Sequence, residues 1–235
     1  MTKSSAQIAI IVSGVVFVLL FSCCRQSPDG KTVFLRSEAA LDAVRSLRMH
    51  IEIRTALPMT TDAEFSCDQD ETRYVTIQVL PQAPSLKKEY IQTARFLFAR
   101  VLEPEPSVWA RSRRQPLLGV CERLKTPDNQ NVASNRLITA DQTKSLPPFS
   151  SYAKDEASIF TYDGNESIEG VPCEIWTVRN SVTSADAPHT IWIAARDRLP
   201  RKYLEGHRDN PITIVTYSDY GQAIPIQLPP SDMGY

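Results

Sequence analysis

The stretch that decides the fold is "ASIFTYDGNESIEGVPCEIWTVRN", residues 157–180. It contains two runs rich in aromatic and β-branched residues, 157–164 and 171–179, with a turn-forming Asp163-Gly164-Asn165 between them. Runs of this composition bounded by glycine and asparagine are typical of β-strands joined by a tight connection. The stretch therefore predicts two neighbouring antiparallel strands.

Similar runs continue towards the C-terminus. They cover residues 188–195, 201–207 and 212–220, and a last short one covers 224–230. Turn-forming residues separate them, so the spacing predicts that they continue the same antiparallel meander.

The segment 37–57 predicts a helix that runs into a strand. Ser37 is a suitable N-cap, and Glu38 places an acidic residue in the first turn. Apolar residues first recur at helical spacing, at Leu41, Val44 and Leu47. They then alternate with polar residues, at Met49, Ile51 and Ile53, which is the period of a strand.

Strand-like runs dominate the chain after that. We predict strands at 73–80, 87–94, 95–102 and 108–112, punctuated by the prolines at 81, 84, 104 and 106. The polar segment 126–156 is typical of a connector, although lids have the same composition.

The C-terminal strands resemble those of the LolA/LolB-like fold, a superfamily of lipoprotein carriers and lipid-binding lipoproteins. Three motifs carry the resemblance: a hairpin, an apolar strand that ends in Leu-Pro, and a Tyr-Ser-Asp-Tyr strand. Their residues are Gly164, Glu166, Ile168, Gly170, Cys173, Trp176, Trp192, Ile193, Leu199, Pro200, Tyr217, Ser218, Asp219 and Tyr220.

The resemblance implies an α+β fold that is mainly β. It implies a curved antiparallel sheet, which is an incomplete barrel, with helices covering its concave face and a cavity for acyl chains between them. We assign this domain to residues 35–235. Large apolar side chains on the predicted strands either line such a cavity or fill an ordinary core. The candidates for the cavity are Phe96, Phe98, Trp109, Ile175, Trp192 and Ile214.

The N-terminus has the features of a bacterial lipoprotein signal peptide. Lys3 precedes an apolar run that is too short for a membrane span and ends in Leu20-Phe21-Ser22-Cys23, which resembles a lipobox. We predict a signal peptide at 1–22, lipid on Cys23 (Cys24 is the second choice) and a lipidated tether at 23–34. A buried apolar helix or an uncleaved anchor is the alternative.

The five cysteines fit an exported protein. With Cys23 lipidated, the other four allow three complete pairings, and the sequence cannot choose between them. A disulfide between Cys67 and Cys121 is favoured because both lie beside predicted strand ends. Buried free thiols are the alternative.

Composition and motifs narrow the function. The formal net charge is −1 and no basic patch alternates with aromatic residues, which argues against nucleic acid. Glycine-rich phosphate loops, metal motifs and nucleophile–base patterns are absent from the sequence, so we predict no catalytic residue, metal or cofactor.

We predict a lipid-anchored protein of the bacterial cell envelope, at the outer membrane and facing the periplasm. Its partners would be the membrane, through the N-terminal lipid, and a hydrophobic ligand, either an acyl chain or the lipid of a lipoprotein. The alternative is a non-enzymatic scaffold lipoprotein whose core is filled.

Overall fold

A computed structural model describes residues 29–113, 152–153, 155–180 and 187–230. These residues form one helix, α1 (Gly30–Asp42), and an antiparallel sheet of 11 strands. The first six strands are β1 (Ser46–Ile53), β2 (Met59–Ser66), β3 (Glu71–Gln78), β4 (Leu86–Gln92), β5 (Phe96–Glu103) and β6 (Ala110–Arg113). The other five are β7 (Ser158–Ile168), β8 (Val171–Asn180), β9 (His189–Ala194), β10 (Pro200–His207) and β11 (Asn210–Ser218).

The sheet consists of two meanders, β1 to β6 and β7 to β11, which are joined where β1 pairs with β11. Its strand order is β6-β5-β4-β3-β2-β1-β11-β10-β9-β8-β7, so the first strand pairs with the last. In that pairing Met49 lies opposite Tyr217 and Ile51 lies opposite Val215. The mainly β, antiparallel fold predicted from the sequence is confirmed, and β6 and β7 are the two edges of an open sheet. Strands β7 to β11 lie side by side in chain order, which confirms the antiparallel meander predicted for this part of the chain.

Helix α1 begins earlier than the sequence predicted. Asp29 is the N-cap, and its carboxylate accepts hydrogen bonds from the backbone N–H groups of Lys31 and Thr32. Ser37, the predicted N-cap, lies in the middle of the helix and is fully buried. The prediction was wrong because residues 23–34 were assigned to a flexible tether, although Val33 and Phe34 give this segment an apolar face. Residues 30–34 of that tether are helical.

The two faces of the sheet differ. One face, which we call the helix face, carries Leu47 and Met49 of β1, which pack in one cluster with Val33 and Phe34 of α1. Because side chains alternate along a strand, Arg48 lies on the other side. We call that side the ladder face.

The contact between α1 and the sheet is close at the start of the helix. A Cβ atom on Gly30 would lie 2.4 Å from Cβ of Phe160 and 3.0 Å from Cζ3 of Trp176. The ring of Phe34 meets that of Phe160 edge to face at 4.9 Å. The interior under this part of α1 is therefore filled by protein.

Three further expectations differ from the structure. The turn predicted at Asp163-Gly164-Asn165 lies inside β7, where the pairing register shifts, and the turn to β8 is at 169–170. Strand β2 was not predicted, because its helix-face residues begin with Thr61 and Ala63 and give a weak apolar period. The short strand predicted at 224–230 is an extended segment without strand pairing. Its prolines at 225, 229 and 230 lack the N–H groups that a strand donates.

Several sequence predictions lie outside the described residues. These are the signal peptide, Cys23 and Cys24, the partner cysteine Cys121, and most of the connector 126–156. Within the described ranges, no helix combines the length and apolarity that crossing a membrane requires.

Candidate functional site

The helix face extends beyond the cluster that packs under α1. On strands β3 to β5, Tyr90 and Leu97 are buried on this face, with exposed fractions of 9% and 7%. Neither belongs to the core cluster that contains α1. These side chains are therefore covered by parts of the protein other than α1.

Polar groups share the same surface. Thr72 lies opposite Gln92, and both are buried on the helix face. The Thr72 hydroxyl is fully buried and makes no hydrogen bond. A buried hydroxyl without a partner is unfavourable, so any polar atom that reached this group would gain a hydrogen bond. We call Thr72, Thr76, Tyr90, Gln92 and Leu97 the distal patch.

The ladder face of the same strands carries alternating charges. Arg48 of β1 donates to Glu64 of β2 at 3.0 Å, and Arg73 of β3 donates to the other oxygen of Glu64 at 3.1 Å. Arg73 also donates to Glu89 of β4 at 2.6 Å, and Arg100 of β5 donates to Glu89 at 2.7 Å. We call this row the charge ladder.

The charge ladder is closed at both ends. Asp219, just after β11, accepts from Arg48 at 2.7 Å. At the other end the Arg100 guanidinium lies 4.4 Å from the centre of the Trp109 ring, which is a cation–π contact. Each arginine of the ladder therefore has a carboxylate partner, and the row stabilises strand pairing rather than offering a free cation.

Glu89 is the most enclosed member of the ladder. Its side chain is only 4% exposed. Burial acts to raise the pKa of this carboxyl, but hydrogen bonds from Arg73 and Arg100 outweigh burial and hold its pKa below the ordinary value. Glu89 is therefore ionised in the folded protein at neutral pH.

Two cavities of about 430 Å³ each lie along the charge ladder. One is bounded by His50, Asp62, the last residue of β7, Ile168, and the turn residue Glu169. The other lies between the ladder and the C-terminal segment 225–230. Polar atoms make up more than half of the exposed lining of both cavities, so neither has the predominantly apolar lining that an acyl chain requires.

The six predicted cavity residues form two clusters on the ladder face. Phe96, Phe98 and Trp109 pack with Ile224 and Ile226 of the C-terminal segment. The other three pack with Cys173, Ala194 and Leu204, and they are Ile175, Trp192 and Ile214. The structure does not bring the six together, and their role in a ligand cavity stays a prediction.

The cysteines in the described ranges differ in state. Cys67 is disulfide-bonded, and Cys173 is a buried free thiol whose pKa is raised by burial. The bond of Cys67 therefore joins it to a cysteine outside the described residues. The predicted partner, Cys121, lies outside them too, so the pairing stays a prediction.

The sequence did not predict the charge ladder or the distal patch. Both depend on the register of β2 to β5, which places charged residues of different strands side by side. A slip of one residue would move every side chain to the other face, so alternation alone could not identify the partners. No group of side chains in the described ranges has the composition of a metal site.

Two solved structures share this fold. LprF from Mycobacterium bovis matches with a TM-score of 0.55 and 14% identity, over 86% of this chain and 98% of that chain. The lipoprotein LppX from Mycobacterium tuberculosis matches with a TM-score of 0.50 and 11% identity, over 84% of this chain and 97% of that chain. At these identities the similarity concerns the fold. It confirms the resemblance predicted from the C-terminal strands. No family model matches the chain, and no curated protein matches it in sequence.

Proposed function

We propose that this protein is a lipid-anchored component of the bacterial cell envelope that holds a hydrophobic ligand and catalyses no reaction. The anchor is the acylated Cys23, and the protein faces the periplasm from the outer membrane. Two observations support this: the lipobox-like residues at 20–23 and the fold shared with the lipoprotein LppX. Fold similarity is an analogy, so the ligand is argued from the sheet itself.

The distal patch is the place that suits a ligand best. It combines the apolar surface of Tyr90 and Leu97 with the unpaired hydroxyl of Thr72. An amphiphile that displaces the protein groups covering the patch satisfies both features, because its acyl chain packs on the apolar residues while an ester or carboxyl oxygen accepts from the hydroxyl. This buried surface outside the α1 cluster is the observation that carries the proposal.

Ligand binding is tested with protein purified from membranes. We expect mass spectrometry of the organic extract to find lipid at a fixed ratio to protein, and the delipidated protein to take up a fluorescent fatty acid. Absence of both would sink the proposal.

A substitution on the distal patch tests whether the ligand binds there. Leu97→Gln places a polar group on the distal patch and should weaken uptake about tenfold. Leu204→Gln makes the same change at a buried leucine of the ladder face, and this matched control should keep uptake unchanged. Thermal unfolding of both variants checks that they are folded.

A second candidate function is a scaffold whose interior is filled. The observation that favours it is the close seat of α1, where Gly30 leaves no room against Phe160. In that case the protein binds another envelope protein and holds no lipid ligand in its interior. Saturable fatty-acid uptake that Leu97→Gln abolishes would exclude the scaffold with a filled core.

A further inference from the structure

The turns at the two ends of the sheet differ in composition. At one end lie the turns 67–70, 93–95, 169–170 and 195–199. All four contain charged residues, and the last contains three in a row, at 196–198. We call this end the charged end.

The opposite end is rich in proline, and three of its four turns also contain charged residues, which are Arg54, Glu105, Arg208 and Asp209. Its turns are 54–58, 79–85, 104–109 and 208–209. Prolines occur at 58, 81, 84, 104 and 106, and the turn 79–85 has no charged residue. We call this end the proline end.

Exposed apolar side chains concentrate at the proline end. Eight large hydrophobic residues are exposed in the described ranges, and five of them lie there. Val108 is 87% exposed, the highest value of the eight. The other four are 45–55% exposed, and they are Leu57, Val79, Ile159 and Ile212. None of the eight lies in a turn of the charged end.

Helix α1 starts at the same end. Gly30 lies against Phe160, which is the third residue of β7 and close to the proline end of that strand. The helix then runs towards the charged end, where Cys67 N–H donates to the carbonyl of Arg45. The chain therefore enters the domain beside the exposed apolar turns.

The distance from there to the predicted anchor is short. Asp29 follows Cys23 by six positions in the sequence. Even a fully extended chain of that length spans roughly 20 Å. A lipid on Cys23 would hold the proline end within this distance of the bilayer surface, closer than the charged end.

We propose that the proline end rests on the lipid bilayer, with Leu57, Val79 and Val108 inserted at the boundary between headgroups and acyl chains. This inference rests on the lipid anchor of the proposed function. Interfacial elements bury an apolar surface to a shallow depth, and exposed apolar turns suit that position. Prolines favour it because they lack an N–H group that would lose its hydrogen bonds to water.

The orientation is tested with an added tryptophan as the reporter. The lipidated full chain is reconstituted in phosphatidylcholine vesicles whose acyl chains carry bromine near the headgroup. Leu57→Trp and Val108→Trp report from the proline end, and Leu228→Trp reports from the C-terminal segment. Leu57 and Leu228 are both 48% exposed, so the pair is matched. The wild type in the same vesicles gives the background of the native tryptophans, of which Trp109 lies in a turn of the proline end, and this background is subtracted from each variant.

We expect brominated lipid to reduce the added fluorescence of Leu57→Trp and Val108→Trp about twofold, and that of Leu228→Trp hardly at all. Flotation of the wild type with the vesicles reports the anchor separately. Flotation without quenching at the proline end overturns the orientation and leaves the anchor intact. Failure to float overturns the anchor, and the orientation with it.

Discussion

Strands β8 to β11 bury apolar side chains on both faces of the sheet, whereas β2 to β5 carry a row of charges on one. In β9, Ile191 and Ile193 are fully buried on the helix face, and Trp192 between them is 1% exposed on the ladder face. In β4, the ladder-face residues include the ionised Glu89. One half of the sheet is thus a two-sided core. The other is held on the ladder face by ion pairs and, at β4 and β5, by the apolar cluster with the C-terminal segment.

This difference distinguishes the strands that support the fold from those on which we place the ligand. A two-sided core depends on filled volume and leaves no space for a ligand. The strands with the charge ladder are joined on their ladder face by directional contacts, and on the helix face only Ala63 and Phe65 of β2 belong to the main core, with Tyr74 of β3 packed against it. The distal patch lies on the same face, outside the cluster that contains α1.

The largest expected effect is the loss of Trp192. Trp192→Ala should lower the free energy of unfolding by about 3–5 kcal/mol, because it removes a buried aromatic side chain and leaves a cavity. Urea unfolding measures the change, and Trp109→Ala, at a partly buried site, should lose less. A loss under about 1 kcal/mol together with weaker fatty-acid uptake would mean that Trp192 lines a ligand cavity instead.

The second effect concerns the centre of the charge ladder. Glu89→Gln leaves the Arg73 and Arg100 guanidinium groups without their shared carboxylate, and should lower the free energy of unfolding by about 2–4 kcal/mol. Glu103→Gln is the control. Its pair with Lys87 is exposed, so its loss should stay under about 0.5 kcal/mol. Equal losses in the two variants would contradict a special role for the ladder.

Gly30→Ala tests how closely the start of α1 packs against β7. Helix propensity alone predicts a gain of up to about 1 kcal/mol for this change. The added Cβ would meet Cβ of Phe160 at 2.4 Å, so we expect a loss of about 1–2 kcal/mol instead. Leu35→Ala, at an exposed site of the same helix, should change the melting temperature little. A more stable Gly30→Ala variant would show that the helix start is not seated on β7.

The same comparison explains what the sequence could predict. Strands β7 to β11 were predicted because long runs of aromatic and β-branched residues identify buried strands without knowledge of their neighbours. Strand β2 was missed because Thr61 and Ala63 are weak signals. The start of α1 was missed because its N-cap, Asp29, lies in a polar segment. The charge ladder could not be predicted, since it depends on strand register.

The smallest expected effect is a change in the pH dependence of stability. Because the pKa of Glu89 is lowered in the folded state, its contribution is present above the unfolded pKa of about 4.3 and is lost as the pH falls through the folded value. Glu89→Gln should therefore lose less stability on acidification than the wild type, as measured by urea midpoints between neutral pH and about pH 3.5.

Glu71 gives the control with the opposite sign. Burial, and then the nearby Asp70, raise the pKa of its carboxyl, so the ionised form destabilises the folded protein above the unfolded pKa. Glu71→Gln should raise stability at neutral pH and lose more of it on acidification. If both variants follow the wild-type pH profile, neither carboxyl titrates with folding. The charge ladder would then fix how β2 to β5 pair without making the stability of the protein depend on pH.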